Sequence, residues 1–266
     1  MHDIWKRAAG LALMVLVPTF AVAHDLKVLA SNQAVAEAGG KTTVYLSWGH
    51  RLPIDDLIDG STLERFEILS PTQSATTLTK DGLGVHAQSV PLKDAGLHQA
   101  VVVRKPSVIT YVIDEDGNRV FKRGPKSAIT EGKIDTAARS IMTAKAMITV
   151  GLGTAEPIKP LGLACEITPV DGPTTWRAGR ELRLRVEVDG KPVPSAEVTA
   201  RPIGFKPDNA WNYSTHADKQ GVATILPDRA GTWVVRVNVK RPAPESARAD
   251  YDQESFTTTL SLEVQP

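Results

Sequence analysis

Five histidines follow the first 23 residues of the chain and carry its clearest potential for metal chemistry: His24, His50, His86, His98 and His216. Imidazole nitrogens are the commonest metal ligands in proteins and suit Ni²⁺, Co²⁺, Cu²⁺ and Zn²⁺. His24 is the strongest candidate, because proteolysis after Ala23 would make it the first residue of the processed chain. A terminal histidine offers its α-amine and its ring Nδ1, which together close a chelate ring on one ion. We therefore predict a divalent transition-metal site that includes His24.

A second imidazole would complete a three-nitrogen ligand set, and His50 is the first choice for it. It follows Trp48-Gly49, where a predicted strand gives way to a loop, and loops at strand ends commonly build sites. We predict that His86 or His98 completes the set, although each by itself also fits an ordinary packing or surface histidine. His216 falls in a predicted turn and receives no ligand role.

The expectation that His24 becomes terminal depends on residues 1–23. Lys6 and Arg7 precede an apolar stretch that ends Ala21-Val22-Ala23, the small-x-small pattern that signal peptidase cleaves. The stretch from Leu11 to Phe20 is short for a bilayer span. These features predict a cleaved secretory signal and a periplasmic location; the alternative is a retained membrane anchor.

Charge and composition limit the classes of partner. The chain has 31 Lys and Arg residues against 30 Asp and Glu residues. Nucleic acids and anionic membrane surfaces both favour a strongly basic protein, so we expect neither nucleic-acid binding nor bulk membrane binding. With 266 residues, of which 42% are hydrophobic, the chain is long enough and apolar enough to bury sizeable cores.

Known catalytic motifs are absent from the sequence. It contains no G-x-S-x-G elbow, no P-loop, no G-x-G-x-x-G and no H-E-x-x-H. Cys165 is the single cysteine and is predicted to be a small buried residue on a strand, while Asp55-Asp56 and Asp114-Glu115-Asp116 are predicted to be solvated turn residues. We therefore expect a binding protein and not an enzyme.

The elements that must position these side chains are predicted to be strands. Apolar and polar residues alternate in several short runs, which is typical of half-buried strands. The predicted strands are Thr43–Trp48, Arg65–Leu69, Ala100–Arg104, Val108–Ile113, Ala144–Val150, Leu182–Val188, Glu197–Ala200, Val222–Leu226, Trp233–Val239 and Thr257–Val264. Asp116-Gly117 and Asp189-Gly190 supply hairpin turns between them.

This spacing predicts an all-β chain of two β-sandwich domains, immunoglobulin-like or prealbumin-like. A Pro-containing segment from Gly153 to Gly162 separates them, which gives domains of residues 24–155, with the metal site, and 163–266. The one stretch with a helical look is Ile134 to Ala146. In the second domain we expect Trp233 to fill the core.

Several short motifs in order along the chain resemble the DUF4198 family: Trp48-Gly49-His50-Arg51-Leu52-Pro53, Ala144-Lys145-Ala146 with Val150-Gly151, Pro160-Leu161-Gly162, and Ala249-Asp250-Tyr251-Asp252. The block from Gly190 to Val239 also resembles the prealbumin-like modules appended to many exported proteins. Members of the family are associated with periplasmic components of nickel and cobalt uptake systems. The resemblance therefore implies Ni²⁺ or Co²⁺ as the ion, a membrane uptake transporter as the partner, and His24 and His50 as ligands.

Two other functions fit the same sequence. One is a structural or interaction protein of two sandwiches without metal, since a fold does not fix a function. The other is a copper-dependent oxidative enzyme of polysaccharides, whose ligands are also a terminal histidine and one internal histidine. Those enzymes carry a flat aromatic binding face, and only 5% of this chain is aromatic, which makes that function the less favoured alternative.

Overall fold

The computed structural model describes residues 24–204 and 211–266, so the predicted signal segment 1–23 lies outside the described residues. Within those ranges every regular element is a strand or a short 3₁₀ turn, which confirms the predicted all-β class. The strands are β1 (Asp25–Ala30), β2 (Ala34–Val35), β3 (Lys41–Gly49), β4 (Ile58–Asp59), β5 (Leu63–Leu69), β6 (Ala75–Thr77), β7 (Leu83–Gly84), β8 (Ala87–Pro91), β9 (Gly96–Ile113), β10 (Arg119–Arg123), β11 (Lys133–Val150), β12 (Cys165–Pro169), β13 (Leu182–Val188), β14 (Lys191–Pro192), β15 (Glu197–Pro202), β16 (Tyr213–His216), β17 (Val222–Ile225), β18 (Gly231–Pro242) and β19 (Gln253–Val264). The helical segments in these ranges are all too short to cross a membrane.

One ten-stranded sheet runs through the molecule. Its main path is β16-β15-β18-β19-β11-β9-β5-β6, with β10 paired to β9 and β2 paired to β11. The two halves of the chain join where β11 pairs in parallel with β19, from Ala138 opposite Gln253 to Ala146 opposite Ser261. The predicted domain limits, 24–155 and 163–266, remain a prediction, because a single sheet crosses from one half to the other.

Two smaller sheets cover opposite faces of the large sheet and enclose two hydrophobic cores. The sheet β1-β3-β8 lies over one face, where Leu26 and Val44 pack with Phe66. The sheet β12-β13-β14, extended by β17, lies over the other face, where Leu184 packs with Trp233. Both arrangements are two-layer sandwiches, as predicted, and Trp233 is fully buried in the second core as expected.

Strand β11 corrects the expectation of a helix at Ile134–Ala146. It is a single extended strand from Lys133 to Val150. Ala144 and Ala146 face the first core, while Met147 faces the second. From Ile141 to Ile148 both faces of the strand are buried, so this part lacks the polar–apolar alternation of a half-exposed strand. The neighbouring strand β9 likewise joins two predicted strands into one.

A polar seam joins β1 to the second half of the chain. Thr259 donates from Oγ1 to the carbonyl of Leu26 at 2.7 Å, and Ser261 donates from Oγ to the carbonyl of Val28 at 2.8 Å. At the start of β1, the Asp25 carboxylate accepts a hydrogen bond from Arg236 Nε at 2.6 Å. These contacts fix the first strand, and therefore His24 just before it, against both halves.

Candidate functional site

The antiparallel register of β1 and β3 brings the two leading histidine candidates together. Asp25 lies opposite Gly49, so His24 and His50 stand directly beyond the last pair of the ladder. Their imidazole rings are stacked, with centroids 4.8 Å apart and planes inclined by 26°. The ring of Trp48 lies 5.2 Å from that of His24. His24 and His50, which are 26 positions apart in the sequence, thus form one cluster with Trp48 at the end of the β1–β3 pair.

The loop that carries His50 has a defined shape. Gly49 has φ of +115°, and a Cβ placed there would lie 2.5 Å from Asp55 Oδ2, so only glycine fits. The same Asp55 oxygen accepts hydrogen bonds from the backbone amides of His50, at 2.7 Å, and Arg51, at 3.3 Å. The His50 amide is the largest cause that holds the pKa of the Asp55 carboxyl below its usual value. The loop is therefore closed around one carboxylate.

Asp56 adds a second carboxylate beside the two rings. Its amide donates to the carbonyl of Trp48 at 3.0 Å, which places the residue next to the end of β3. Its Oδ2 lies 3.9 Å from His24 Nε2, and both side chains are open to solvent. The sequence predicted Asp56 only as a turn residue. Its position six residues after His50 is the one sequence signal that could have indicated that it lies beside the two histidines.

Two cations hold the backbone beneath the site. Lys27 is 1% exposed and donates from Nζ to the carbonyl of Gly49 at 2.7 Å. Burial lowers the pKa of Lys27 to about 8, with Asp25 acting in the opposite direction and Arg201 in the same one. Arg201, from the second half of the chain, also donates to the carbonyl of His50 at 3.4 Å. The loop is thus attached to both halves of the fold.

The other two predicted ligands lie elsewhere. His86 is buried, and its Nε2 lies 3.0 Å from the carbonyl oxygen of Ile58. His98 is also buried, with Nε2 2.9 Å from the carbonyl oxygen of Asp94. Because a carbonyl only accepts, each Nε2 must be the donor and is not free to bind a metal. The structure does not bring these rings to His24 and His50.

The structure places the remaining candidates as follows. His216 is exposed and is the last residue of strand β16, and not part of a turn as predicted. Cys165 is buried, which confirms the prediction, and burial raises the pKa of its thiol to about 12. Across residues 24–204 and 211–266, no three His, Cys, Asp or Glu side chains are grouped so that they could hold a metal ion. Any third ligand at the His24–His50 pair would therefore come from another kind of group.

Comparison with known families and structures gives one broad match. The model of the family described as "Domain of unknown function (DUF4198)" matches residues 21–241. No curated protein matches the chain. The chain is similar to the solved D0-D1 domain of Intimin, at 15% identity over 91% of this chain and 98% of that one, with a TM-score of 0.24. It is also similar to the D00-D0 domain of Intimin, at 13% identity over 91% of this chain and 100% of that one, with a TM-score of 0.21. TM-scores this low do not establish a common fold.

Proposed function

This chain belongs to the DUF4198 family, and we propose that it binds a divalent transition metal ion, Ni²⁺ or Co²⁺, at His24 and His50. The proposal includes cleavage after Ala23, export to the periplasm and delivery of the ion to a membrane uptake transporter. The ion would be the cargo of the protein and not a catalytic cofactor. Cu²⁺ and Zn²⁺ are also suited to a nitrogen-rich site of this kind.

The observation that carries the proposal is the stacking of the His24 and His50 rings at 4.8 Å. Cleavage after Ala23 would release the α-amine of His24 at the same place. The amine and two imidazoles would then supply three nitrogens. A set of three nitrogens suits the later first-row ions better than Mg²⁺ or Ca²⁺, which prefer oxygen ligands.

Exposure of the cluster supports a role in transfer. The side chains of His24 and Asp56 are 41% and 56% exposed, so a bound ion would stay accessible from solvent. Structural metal sites are normally closed by four protein ligands, whereas an open site leaves a position for an incoming group. A ligand from a transporter could therefore reach the ion before the protein releases it.

The test is calorimetric titration of the exported protein with NiCl₂ and with CoCl₂. The full sequence is expressed in a Gram-negative host, and mass spectrometry of the secreted protein establishes its first residue. His24→Ala and His50→Ala should each weaken Ni²⁺ binding by about tenfold or more, since even the partners that orient a ligand are worth about 10–100-fold. His216→Ala is the matched control and should bind as the unaltered protein does.

Several outcomes would overturn the proposal. One is a secreted chain that begins elsewhere than at His24. A second is Ni²⁺ and Co²⁺ binding that survives both substitutions. A third is binding that is the same at about pH 7.5 and about pH 5, where protons compete for imidazole. Binding of neither ion would favour a structural or interaction protein without metal.

The same histidine pair also keeps the oxidative alternative open to test. A terminal histidine beside a second imidazole would hold Cu²⁺ as well, because affinity rises toward copper among these ions. Copper-dependent consumption of peroxide by the exported protein, abolished by His50→Ala, would favour that enzyme over a metal carrier.

A further inference from the structure

A cavity of about 240 Å³ lies beside His24, between β3, β9, β10 and β11. Its walls are aromatic and aliphatic, and they include Trp48, Tyr111 and Met142. Phe121 stands at its edge and is 53% exposed, which is high for a large apolar side chain. A mostly apolar concave surface with a few polar groups is the usual form of a small-molecule site.

Two arginines line this cavity without an acidic partner. No ion pair joins Arg104 or Arg123 to a carboxylate within the described ranges, whereas Arg119 on the same strand as Arg123 is paired with Asp135 at 2.8 Å. Arg104 donates from Nη1 to Ser107 Oγ at 3.0 Å, but its buried Nε has no hydrogen-bond partner among the residues that the structure describes. A buried donor without an acceptor is costly, so a ligand that accepts from this nitrogen would be stabilised.

A local irregularity of β9 directs Arg104 into this position. Opposite β11, the register shifts between the pairs Ser140–Ser107 and Met142–Arg104, and Pro106 lies within the shift. Proline has no amide hydrogen to give to a ladder, and irregularities of this kind turn side chains away from their regular direction. Both residues of each pair line the cavity.

The electrostatics of the cavity favour an anion. Burial and the neighbouring charge of Arg123 lower the pKa of Arg104. An arginine nevertheless stays protonated at any ordinary pH. Two fixed positive charges in a largely apolar cleft would both be relieved by one carboxylate, and guanidinium binds carboxylate through two parallel hydrogen bonds. The guanidinium of Arg104 also lies 5.3 Å from the ring centroid of Trp48, which places charge and aromatic surface together.

We propose that this cavity binds a small carboxylate with an aromatic or apolar body. The carboxylate pairs with Arg104 and Arg123, and the body lies against Trp48 and Phe121. A volume near 240 Å³ is below the usual range for drug-sized ligands and suits a single-ring acid. The inference is independent of metal binding: His24 and Trp48 border both sites, but Arg104, Arg123 and Phe121 belong to the cavity alone.

The probe is benzoate, added to the exported protein after chelation of metal. Binding is followed by calorimetry and by the ¹H–¹⁵N signal of the Arg104 Nε–H, which the Arg104→Gln variant identifies by its loss. We expect saturable binding and a shift of that signal. Benzamide has the same shape without the charge, and acetate has the charge without the ring; each should bind about tenfold more weakly or worse.

Variants locate the binding. Arg104→Gln and Phe121→Ser should each weaken benzoate by about tenfold. Phe121 is exposed, so its substitution tests the site even if Arg104→Gln does not fold. Lys122→Gln is the matched control, because it removes a charge from β10 between Phe121 and Arg123. Lys122 is paired with Glu131 and does not line the cavity.

Specific outcomes would overturn the inference: no Arg104 shift with benzoate, equal binding of benzamide, or a loss with Lys122→Gln as large as with Arg104→Gln. His50→Ala should leave benzoate binding unchanged. Metal binding and carboxylate binding can therefore fail separately.

Discussion

The Nζ of Lys27 lies 2.7 Å from the carbonyl oxygen of Gly49, in surroundings where Lys27 is 1% exposed. This buried hydrogen bond ties the first strand of the described chain to the turn that carries His50. The turn is held on its outer side by Asp55, which accepts the His50 amide. The position of the second imidazole is therefore fixed by a buried cation on one side and a carboxylate on the other.

Lys27 gives a prediction about stability and pH. Its pKa is about 8 in the folded protein against 10.5 as an ordinary lysine. Below about pH 8 both states are protonated, and the folded state bears the full cost of a buried charge. Between about pH 8 and 10.5 the unfolded chain holds a proton that the folded chain has lost, so the free energy of unfolding rises with pH, by about 3 kcal/mol in all. Lys27→Met should lose this rise.

The measurement is urea unfolding of the protein and of Lys27→Met at several pH values across that interval. Other lysines and tyrosines titrate there too, so the quantity that matters is the difference between the two proteins. A difference in unfolding free energy that does not change with pH would contradict the prediction.

The α-amine of His24 gives a prediction about metal affinity. A form of the processed chain with one glycine added before His24 keeps both imidazole rings but moves the amine away from them. We expect its affinity for Ni²⁺ to fall by about tenfold or more, because a chelate ring is lost. The comparison is calorimetric, with circular dichroism as the check on folding. Unchanged affinity would mean that the amine is not a ligand.

Gly49 gives a prediction about the shape of the loop. Gly49→Ala forces a side chain into positive φ and onto Asp55, 2.5 Å from Oδ2. We expect a loss of about 1–3 kcal/mol in the free energy of unfolding and weaker metal binding, because the His50 turn must shift. Gly82→Ala is the control, since Gly82 also has positive φ but a Cβ there would meet nothing within 4 Å. Equal losses of unfolding free energy in the two variants would show that the contact with Asp55 does not contribute to the destabilisation.

The buried pair of Lys145 and Glu166 gives a prediction about the junction between the halves. Both side chains are 1% exposed, and Nζ lies 2.5 Å from Oε1. Glu166 also accepts the backbone amides of Leu161, Gly162 and Leu163, which orders the segment that links the halves. Lys145→Met leaves a buried carboxylate without its cation and should cost about 3–5 kcal/mol in urea unfolding.

Lys122→Gln is a suitable comparison for that loss. Lys122 forms an ion pair with Glu131, whose side chain is 84% exposed, and exposed pairs contribute about 1 kcal/mol or less. A cost for Lys145→Met as small as that for Lys122→Gln would contradict the view that the buried pair stabilises the junction.

The strands that the sequence predicted well are those with one buried face. In β13, Leu182, Leu184 and Val186 are buried while Arg183 and Arg185 are exposed, and the predicted limits of this strand were correct. Strand β11 was mistaken in part for a helix, and from Ile141 to Ile148 both of its faces are buried. A period of two arises only when one face meets water, so a strand between two layers leaves no such period in its sequence.

The candidate site was predictable to a smaller extent. His24 and His50 were chosen from their residue types and from their positions at a cleavage pattern and a strand end. Their proximity depends on the register between β1 and β3, which no local pattern encodes. Arg104 and Asp56 received no site role, because their surroundings are built from strands far away in the sequence.

The sequence by itself determined the all-β class, the half-buried strands and the histidines worth testing, since residue type and local periodicity are properties of neighbouring positions. Only the tertiary structure decided that one sheet serves two cores and that His24 meets His50 while His86 and His98 turn to backbone carbonyls. It also decided that no carboxylate in the described part of the chain pairs with Arg104. These features depend on pairing between strands that are distant in the sequence. The burial of whole strand faces sets the register of that pairing, and the register determines which groups surround each side chain.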